Sequence, residues 1–333
     1  MPVELPNISG ERNDKIFGLQ PAKFDEMALQ VFAFQYTFNN IYAQYANAVG
    51  RSPENVTSVA HIPFLPIRFF KSHTVVTGNF EPEAVFESSG TTQTINSRHL
   101  VKSMRLYKQS FLQAFHQFYG DVKDWCIIGL LPSYLERSNS SLVVMVDELI
   151  KQSEHPDSGF YLYEHEKLLG TLTRLENAKQ KTLLIGVTFA LLDFAATCQL
   201  HLQHTIVMET GGMKGRREEW TRQQVHDFLI AKLGVPAIHS EYGMTELLSQ
   251  AYSNGNGIFY CPAWMKVLLR ADDDPLQVSG TDDGIINVID LANIYSCSFI
   301  ATYDAGKIHA NGGFEVIGRT DGSDLRGCSL MTI

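Results

Sequence analysis

Basic residues are scarce relative to acidic ones. Lysine and arginine together number 27 against 36 aspartates and glutamates, a formal net charge of −9 over 333 residues. A chain of this sign lacks the basic face that nonspecific nucleic-acid binding requires, and the polybasic cluster that holds a protein to an acidic membrane. Long apolar runs are missing too. Met27 to Gly50 carries no charge, but Gln30, Gln35, Asn39, Asn40, Gln44 and Asn47 interrupt it. Leu183 to Leu192 is strongly apolar yet too short to span a bilayer, so no membrane span is expected. Neither a basic region nor an apolar run follows Met1, and no signal peptide is expected. Cysteine is limited to Cys126, Cys198, Cys261, Cys297 and Cys328, which are far apart and form no Cys-x-x-Cys. That disfavours a zinc ribbon or a thioredoxin-like site. Reduced thiols and a cytoplasmic location fit this pattern. There is no internal repeat and no low-complexity tract.

What remains is globular material, 44% hydrophobic and 11% aromatic, enough for a core and an apolar pocket. The length suits one large or two moderate domains. Arg98 to Tyr119 places Leu100, Met104, Tyr107, Phe111, Phe115 and Phe118 at steps of three and four, which predicts an amphipathic helix with Ser97 as N-cap and Gly120 as stop. Ser141 to Gln152 predicts a second helix. Trp125 to Leu131, Thr182 to Val187 and Thr205 to Met208 are strand-length apolar runs. Strands alternating with helices predict an α/β fold with a largely parallel sheet. From about residue 255 the pattern changes. Ile258 to Tyr260, Met265 to Leu269, Gly284 to Ile289, Ser298 to Thr302 and Gly313 to Ile317 read as short strands joined by Asp/Gly-rich turns. The expected division is an α/β core over 1–254, a small β subdomain over 255–318 and a tail over 319–333.

Two segments stand out chemically. Phe86 to Thr92 contains Ser88, Ser89, Gly90, Thr91 and Thr92, too small and polar for a core. Consecutive N–H groups, hydroxyls and a glycine can surround a phosphate; the same residues also suit a turn that caps a helix. No Gly-Lys-Ser/Thr follows, so this is not a P-loop. His239 to Glu246 brings an aromatic ring, a glycine, a hydroxyl and a carboxylate together in Tyr242, Gly243, Thr245 and Glu246. Those groups can stack a base, approach a phosphate and hold Mg²⁺. A strand-to-helix turn capped by Thr245 is the plainer alternative. Asp272 to Asp274 and Asp282-Asp283 read as solvated turns, and His61, His99 and His239 as single histidines.

Taken in this order, and continued by Ala301 to Gly306 and Ile317 to Asp321, these segments resemble the adenylate-forming superfamily of acyl-CoA ligases, peptide-synthetase adenylation domains and firefly-type luciferase. The resemblance implies the large N-terminal domain of that superfamily, with ATP and Mg²⁺ as cofactors. It implies that Ser88, Ser89, Gly90, Thr91 and Thr92 contact ATP phosphates. It implies that Glu241, Tyr242, Gly243 and Thr245 contact the nucleotide, that Glu246 holds Mg²⁺, that Asp304 binds ribose and that Arg319 belongs to the interdomain hinge motif. Two departures follow. The phosphate loop continues Gln93-Thr94-Ile95-Asn96-Ser97-Arg98 without the family's lysine, leaving Arg98 as the nearest cation. The chain reaches Ile333 soon after the hinge motif, so the C-terminal lid domain and its lysine are expected to be absent.

One branch without that lid is similar over nearly the whole chain: the acyl-protein synthetase of the bacterial bioluminescence fatty-acid reductase. The similarity rests on Ile62 to Ile67, Glu87 to Thr92, Glu209 to Arg216 with its Gly211-Gly212 pair, and Gly322 to Leu330. It implies activation of a fatty acid as its acyl-adenylate, transfer to Cys328, and passage to a partner reductase. Lys214 and Arg216 are candidate cations for the developing phosphate charge, though they also read as a solvated helix start before the expected helix Glu218 to Gly234. Arg326 can favour the Cys328 thiolate. Two other classes remain open: an ATP-independent cysteine acyltransferase, and a binding module that retains nucleotide affinity without turnover.

Overall fold

The strands Cys126–Leu130 and Thr182–Gly186 are buried at every residue. A strand hidden on both faces belongs to the middle of a parallel sheet sandwiched by helices. The computed structural model, which describes residues 14–88, 95–131, 139–211, 220–272, 274–279 and 282–320, bears this out. Its residues fall into two compact units that interleave along the chain. The first takes in residues 1–113, 244–250 and 261–314, the second 114–243, 251–260 and 315–333.

The second unit is built on a six-stranded sheet. Gly159–Phe160, Cys126–Leu130, Thr182–Gly186, Thr205–Glu209 and Ile238–Tyr242 run parallel in that order, and Ala251–Ser253 closes one edge antiparallel. The helices Ser141–Ser153, His165–Asn177, Thr188–Ala196 and Arg222–Leu233 follow successive strands, the βαβ pattern. Ser140 caps the first of them by accepting from the Val143 amide at 3.4 Å. Thr221 and Gln224 form a reciprocal capping box at the start of Arg222–Leu233. That helix stops at Gly234, where φ is +66° and a Cβ would lie 2.6 Å from the Leu200 carbonyl oxygen, so only glycine fits.

The first unit is mostly antiparallel. Phe299–Ile308 pairs with Asp282–Asp290, and Asp282–Asp290 with Met265–Arg270, whose far side takes Val278–Ser279. Leu65–Pro66 adds a short parallel strand against Phe299–Ile308. The helices Phe24–Phe38 and Asn40–Ala48 supply Phe32 and Tyr42, whose rings meet Phe299 at 6.3 and 5.9 Å between centroids. Burying each such ring contributes about 1.5–3 kcal/mol. Among the described residues no helix is long and apolar enough to cross a membrane.

The sequence reading needs correction in three places. The helix expected from Arg98 begins at Met104, because Arg98–Val101 pairs as a strand with Ala84–Glu87. Ser97 therefore precedes a strand and is not an N-cap; the Glu83 carboxylate accepts from the Met104 amide at 2.7 Å instead. Gly120 does end that helix, at φ +83°. Asp282 and Asp283 are strand residues opposite Ile308 and Lys307, not a turn. Thr245 caps no helix, since the described chain after Tyr242 passes through turns to Ala251–Ser253.

Candidate active site

In the first unit, the hairpin Ala84–Glu87 and Arg98–Val101 holds the two ends of the Ser/Thr/Gly segment. The Ser88 amide donates to the Ser97 carbonyl at 3.1 Å, and the Ser97 amide donates to the Ser88 hydroxyl at 2.9 Å. Ser88 is thus placed at the root of the segment, while Ser89, Gly90, Thr91 and Thr92 lie outside the described residues. Arg98, the nearest cation in sequence, sits 3.8 Å from Glu87 with both side chains largely solvated. Such a pair contributes little.

Thr245 and Glu246 are fixed through their backbone. The His99 Nδ1–H donates to the Thr245 carbonyl at 2.8 Å, a tautomer set by the carbonyl acceptor. Burial holds the His99 imidazole below its ordinary pKa, and so neutral. The Asn293 amide donates to the Glu246 carbonyl at 2.7 Å and to the Cys297 carbonyl at 3.0 Å. Just downstream, the buried Asp290 carboxylate accepts from the amides of Leu248, Ser249 and Ala292 at 2.8, 3.0 and 3.1 Å, and from the Ser249 hydroxyl at 2.6 Å. Burial raises its pKa, and those four donors pull the other way. Glu246 is itself 1% exposed. Asp304 is buried near the middle of Phe299–Ile308, its amide donating to the Thr302 hydroxyl at 3.1 Å.

The second unit carries the other candidates. Thr205–Glu209 ends in a buried carboxylate that accepts from the Gly211 amide at 2.7 Å and from the Thr188 hydroxyl at 3.2 Å. Gly211 has φ +73°. His226 Nε2 stands 3.7 Å from the same carboxylate. Burial pushes the Glu209 carboxyl up, but His226, Arg222 and Ser240 outweigh it and bring it down to about 2. On Ile238–Tyr242 the side chains of Ile238, Ser240 and Tyr242 are buried, and His239 and Glu241 alternate with them. Burial pushes His239 down to about 4; burial and the Glu209 charge push Glu241 up to about 8. Both shifts favour the uncharged form. Tyr119, Tyr252 and Phe118 cluster beside His239, and the Tyr119 hydroxyl lies 3.2 Å from His239 Nδ1. Tyr242 packs against Phe259 at 5.9 Å, and Arg319 closes the strand Phe314–Arg319. Gly212, Lys214, Arg216 and Cys328 lie outside the described residues. The helix downstream of the Lys214 to Arg217 cluster is capped at Thr221.

Sequence reasoning missed Glu209, His226, Asp290 and Asn293 as supports. Glu209 carried a signal, an acid ending an apolar strand just before Gly211-Gly212; Asp290 carried a weaker one, an acid ending Gly284 to Ile289.

Mg²⁺ prefers hard oxygen ligands and often takes only one or two carboxylates besides phosphate oxygens. The buried acid Glu246 offers that chemistry. Among the described residues no three His, Cys, Asp or Glu side chains gather as a metal cluster.

ATP-bound MatB from Rhodopseudomonas palustris superposes with a TM-score of 0.55 at 17% identity over 82% of this chain and 51% of that one. A 2-hydroxyisobutyryl-CoA ligase in complex with 2-HIB-AMP and CoA superposes with a TM-score of 0.62 at 13% identity over 93% of this chain and 71% of that one. The chain spans about half the length of MatB. At these identities the likeness shows the fold, a mixed α/β architecture like the N-terminal domain of adenylate-forming enzymes. The chain belongs to the acyl-protein synthetase family LuxE, whose sequence model matches residues 8–332. No curated protein sequence matches it.

Proposed function

We propose that the protein activates a carboxylic acid with ATP and passes the acyl group to its own Cys328. The carboxylate oxygen attacks the α-phosphorus, pyrophosphate leaves, and an acyl-adenylate forms. The Cys328 thiolate then attacks the acyl carbonyl carbon, the bond to AMP breaks, and a thioester results. The observation that carries this reading is the family match over residues 8–332 on the fold of ATP-bound adenylate-forming enzymes.

Residue roles follow from the chemistry each can perform. Glu246 would hold Mg²⁺, which when bound neutralises phosphate charge. Asp304 accepts from ribose hydroxyls. Tyr242, with Gly243 and Glu241 beside it, lies against adenine, and Thr245 and the Ser88 to Thr92 hydroxyls donate to phosphates. The Gly211-Gly212 pair permits close backbone approach, Lys214 and Arg216 offset charge as pyrophosphate departs, and Arg319 serves as the hinge cation. His239, with the Tyr119 ring against it, suits an acyl chain, and we assign the acid to the fatty class. We also assign the division into a 1–254 core, a 255–318 β subdomain and a 319–333 tail, a cytoplasmic location, and a partner protein, such as a reductase, that takes the acyl group from Cys328.

Pyrophosphate release across a panel of carboxylic acids tests this. Acid-dependent release that requires Mg²⁺ is expected. ATP binding without release from any acid would favour a nucleotide-binding module; acyl transfer from a preactivated donor without ATP would favour a cysteine acyltransferase.

A further inference from the structure

The geometry points to Glu209 as a positioning residue that locks the turn at Gly211 from within, together with Thr188. This assignment rests on the reading of that turn as part of the nucleotide-handling machinery. Glu209 ends its strand, and its carboxylate accepts from the amide of Gly211, two residues on, at 2.7 Å. The same carboxylate oxygen accepts from the Thr188 hydroxyl at 3.2 Å. Thr188 grips the other side of the glycine: its amide donates to the Gly211 carbonyl at 3.0 Å. The Thr210 amide donates to the Gly186 carbonyl of the neighbouring strand at 3.1 Å, continuing the sheet to the edge of the turn. Gly211, at φ +73°, is thus held at both its N–H and its C=O.

A carboxylate in this place is costly. Glu209 is 2% exposed, and a buried charge needs compensation. The helix Arg222–Leu233 brings His226 to it, with Nε2 3.7 Å from the carboxylate. An apolar residue would fill the same space without the desolvation cost, but it could not accept from the Gly211 amide. The charge thus serves to fix Gly211 where the chain leaves the sheet.

The test uses the full chain carrying Glu209→Ala, Thr188→Val or Thr188→Ser, with circular dichroism to confirm folding. Two quantities are read: hydrogen exchange at the Gly211 amide, and the KM for ATP against kcat in acid-dependent pyrophosphate release. Glu209→Ala should exchange about tenfold faster at Gly211, and its KM for ATP should rise about tenfold with a smaller change in kcat. Thr188→Val should shift both in the same direction by less, and Thr188→Ser, which keeps the hydroxyl, should restore both. Unchanged Gly211 exchange in a folded Glu209→Ala overturns the assignment, as does faster exchange with an unaltered KM. If the unsubstituted protein releases no pyrophosphate with any acid, the proposed function fails, while the exchange measurement still decides whether Glu209 fixes the turn.

Discussion

Two buried carboxylates, one in each unit, are handled in opposite ways. Asp290 receives four hydrogen bonds and still has its pKa raised, because burial outweighs them. Glu209 accepts from Gly211 and Thr188 and is brought down to about 2, because His226, Arg222 and Ser240 together outweigh its burial. The direction of the shift follows from the balance between burial and the groups that face each carboxyl. The two acids also serve different segments. Asp290 ties down the backbone just after Glu246, and Glu209 the backbone just after its own strand.

The largest effect should come from cutting the first of these. Asp290→Ala strands three backbone amides and the Ser249 hydroxyl without their acceptor. Chemical denaturation should show a loss of about 3–4 kcal/mol. A loss below about 1 kcal/mol would mean that water replaces the carboxylate.

Opposite pH signatures sharpen the comparison. The Glu209 carboxyl lies at about 2 against an ordinary 4.5, so its stabilisation is present above pH 4.5 and fades as pH falls toward 2. Asp290 is raised from 3.8, so its share is fully present below that value and fades as pH rises through the folded-state pKa. Thermal melts against pH should therefore be flatter in the acid window for Glu209→Gln than for the unsubstituted protein, and Asp290→Asn should not reproduce that change. Identical acid profiles for all three would contradict the contrast.

Glu241 extends the comparison within the second unit, since it lies in the field of the Glu209 charge. Raised to about 8 from 4.5, it costs stability progressively as pH climbs through that range. Glu241→Gln should stabilise the protein at pH 8 by about 2 kcal/mol, discounted because the residue is only half-buried. No gain at pH 8 would show the carboxyl to be ionised there already.

The smallest change concerns His99, which holds the Thr245 carbonyl while neutral. Asn can place an amide N–H near Nδ1, so His99→Asn should cost about 1 kcal/mol and His99→Leu about twice that. Equal costs would assign His99 to packing alone.

Much of the fold was legible from periodicity. The buried strand runs, the helix from Ser141 and the helix stop at Gly120 all follow from apolar spacing and turn chemistry. The helix beginning at Arg98 was misread because Leu100 fits a helical stripe as well as it fits a strand. Only pairing with Ala84–Glu87, a nonlocal contact, separates the two. The candidate motif residues stand out in the sequence because their chemistry is compressed into a few adjacent positions. Their supports were not: His99 and Thr245, or Asn293 and Glu246, are brought together by the fold across long stretches of chain. Glu209 and His226 meet only because a helix returns along the sheet.

The most direct measurement is the intact mass of the protein after incubation with ATP, Mg²⁺ and an acid that supports pyrophosphate release. One acyl mass per chain is expected, removable by hydroxylamine and absent in Cys328→Ser, which should still release pyrophosphate. A label that persists in Cys328→Ser, or that maps to Cys126, Cys198, Cys261 or Cys297, would contradict transfer to the Cys328 thiol. The absence of any label with every such acid would contradict the thioester itself.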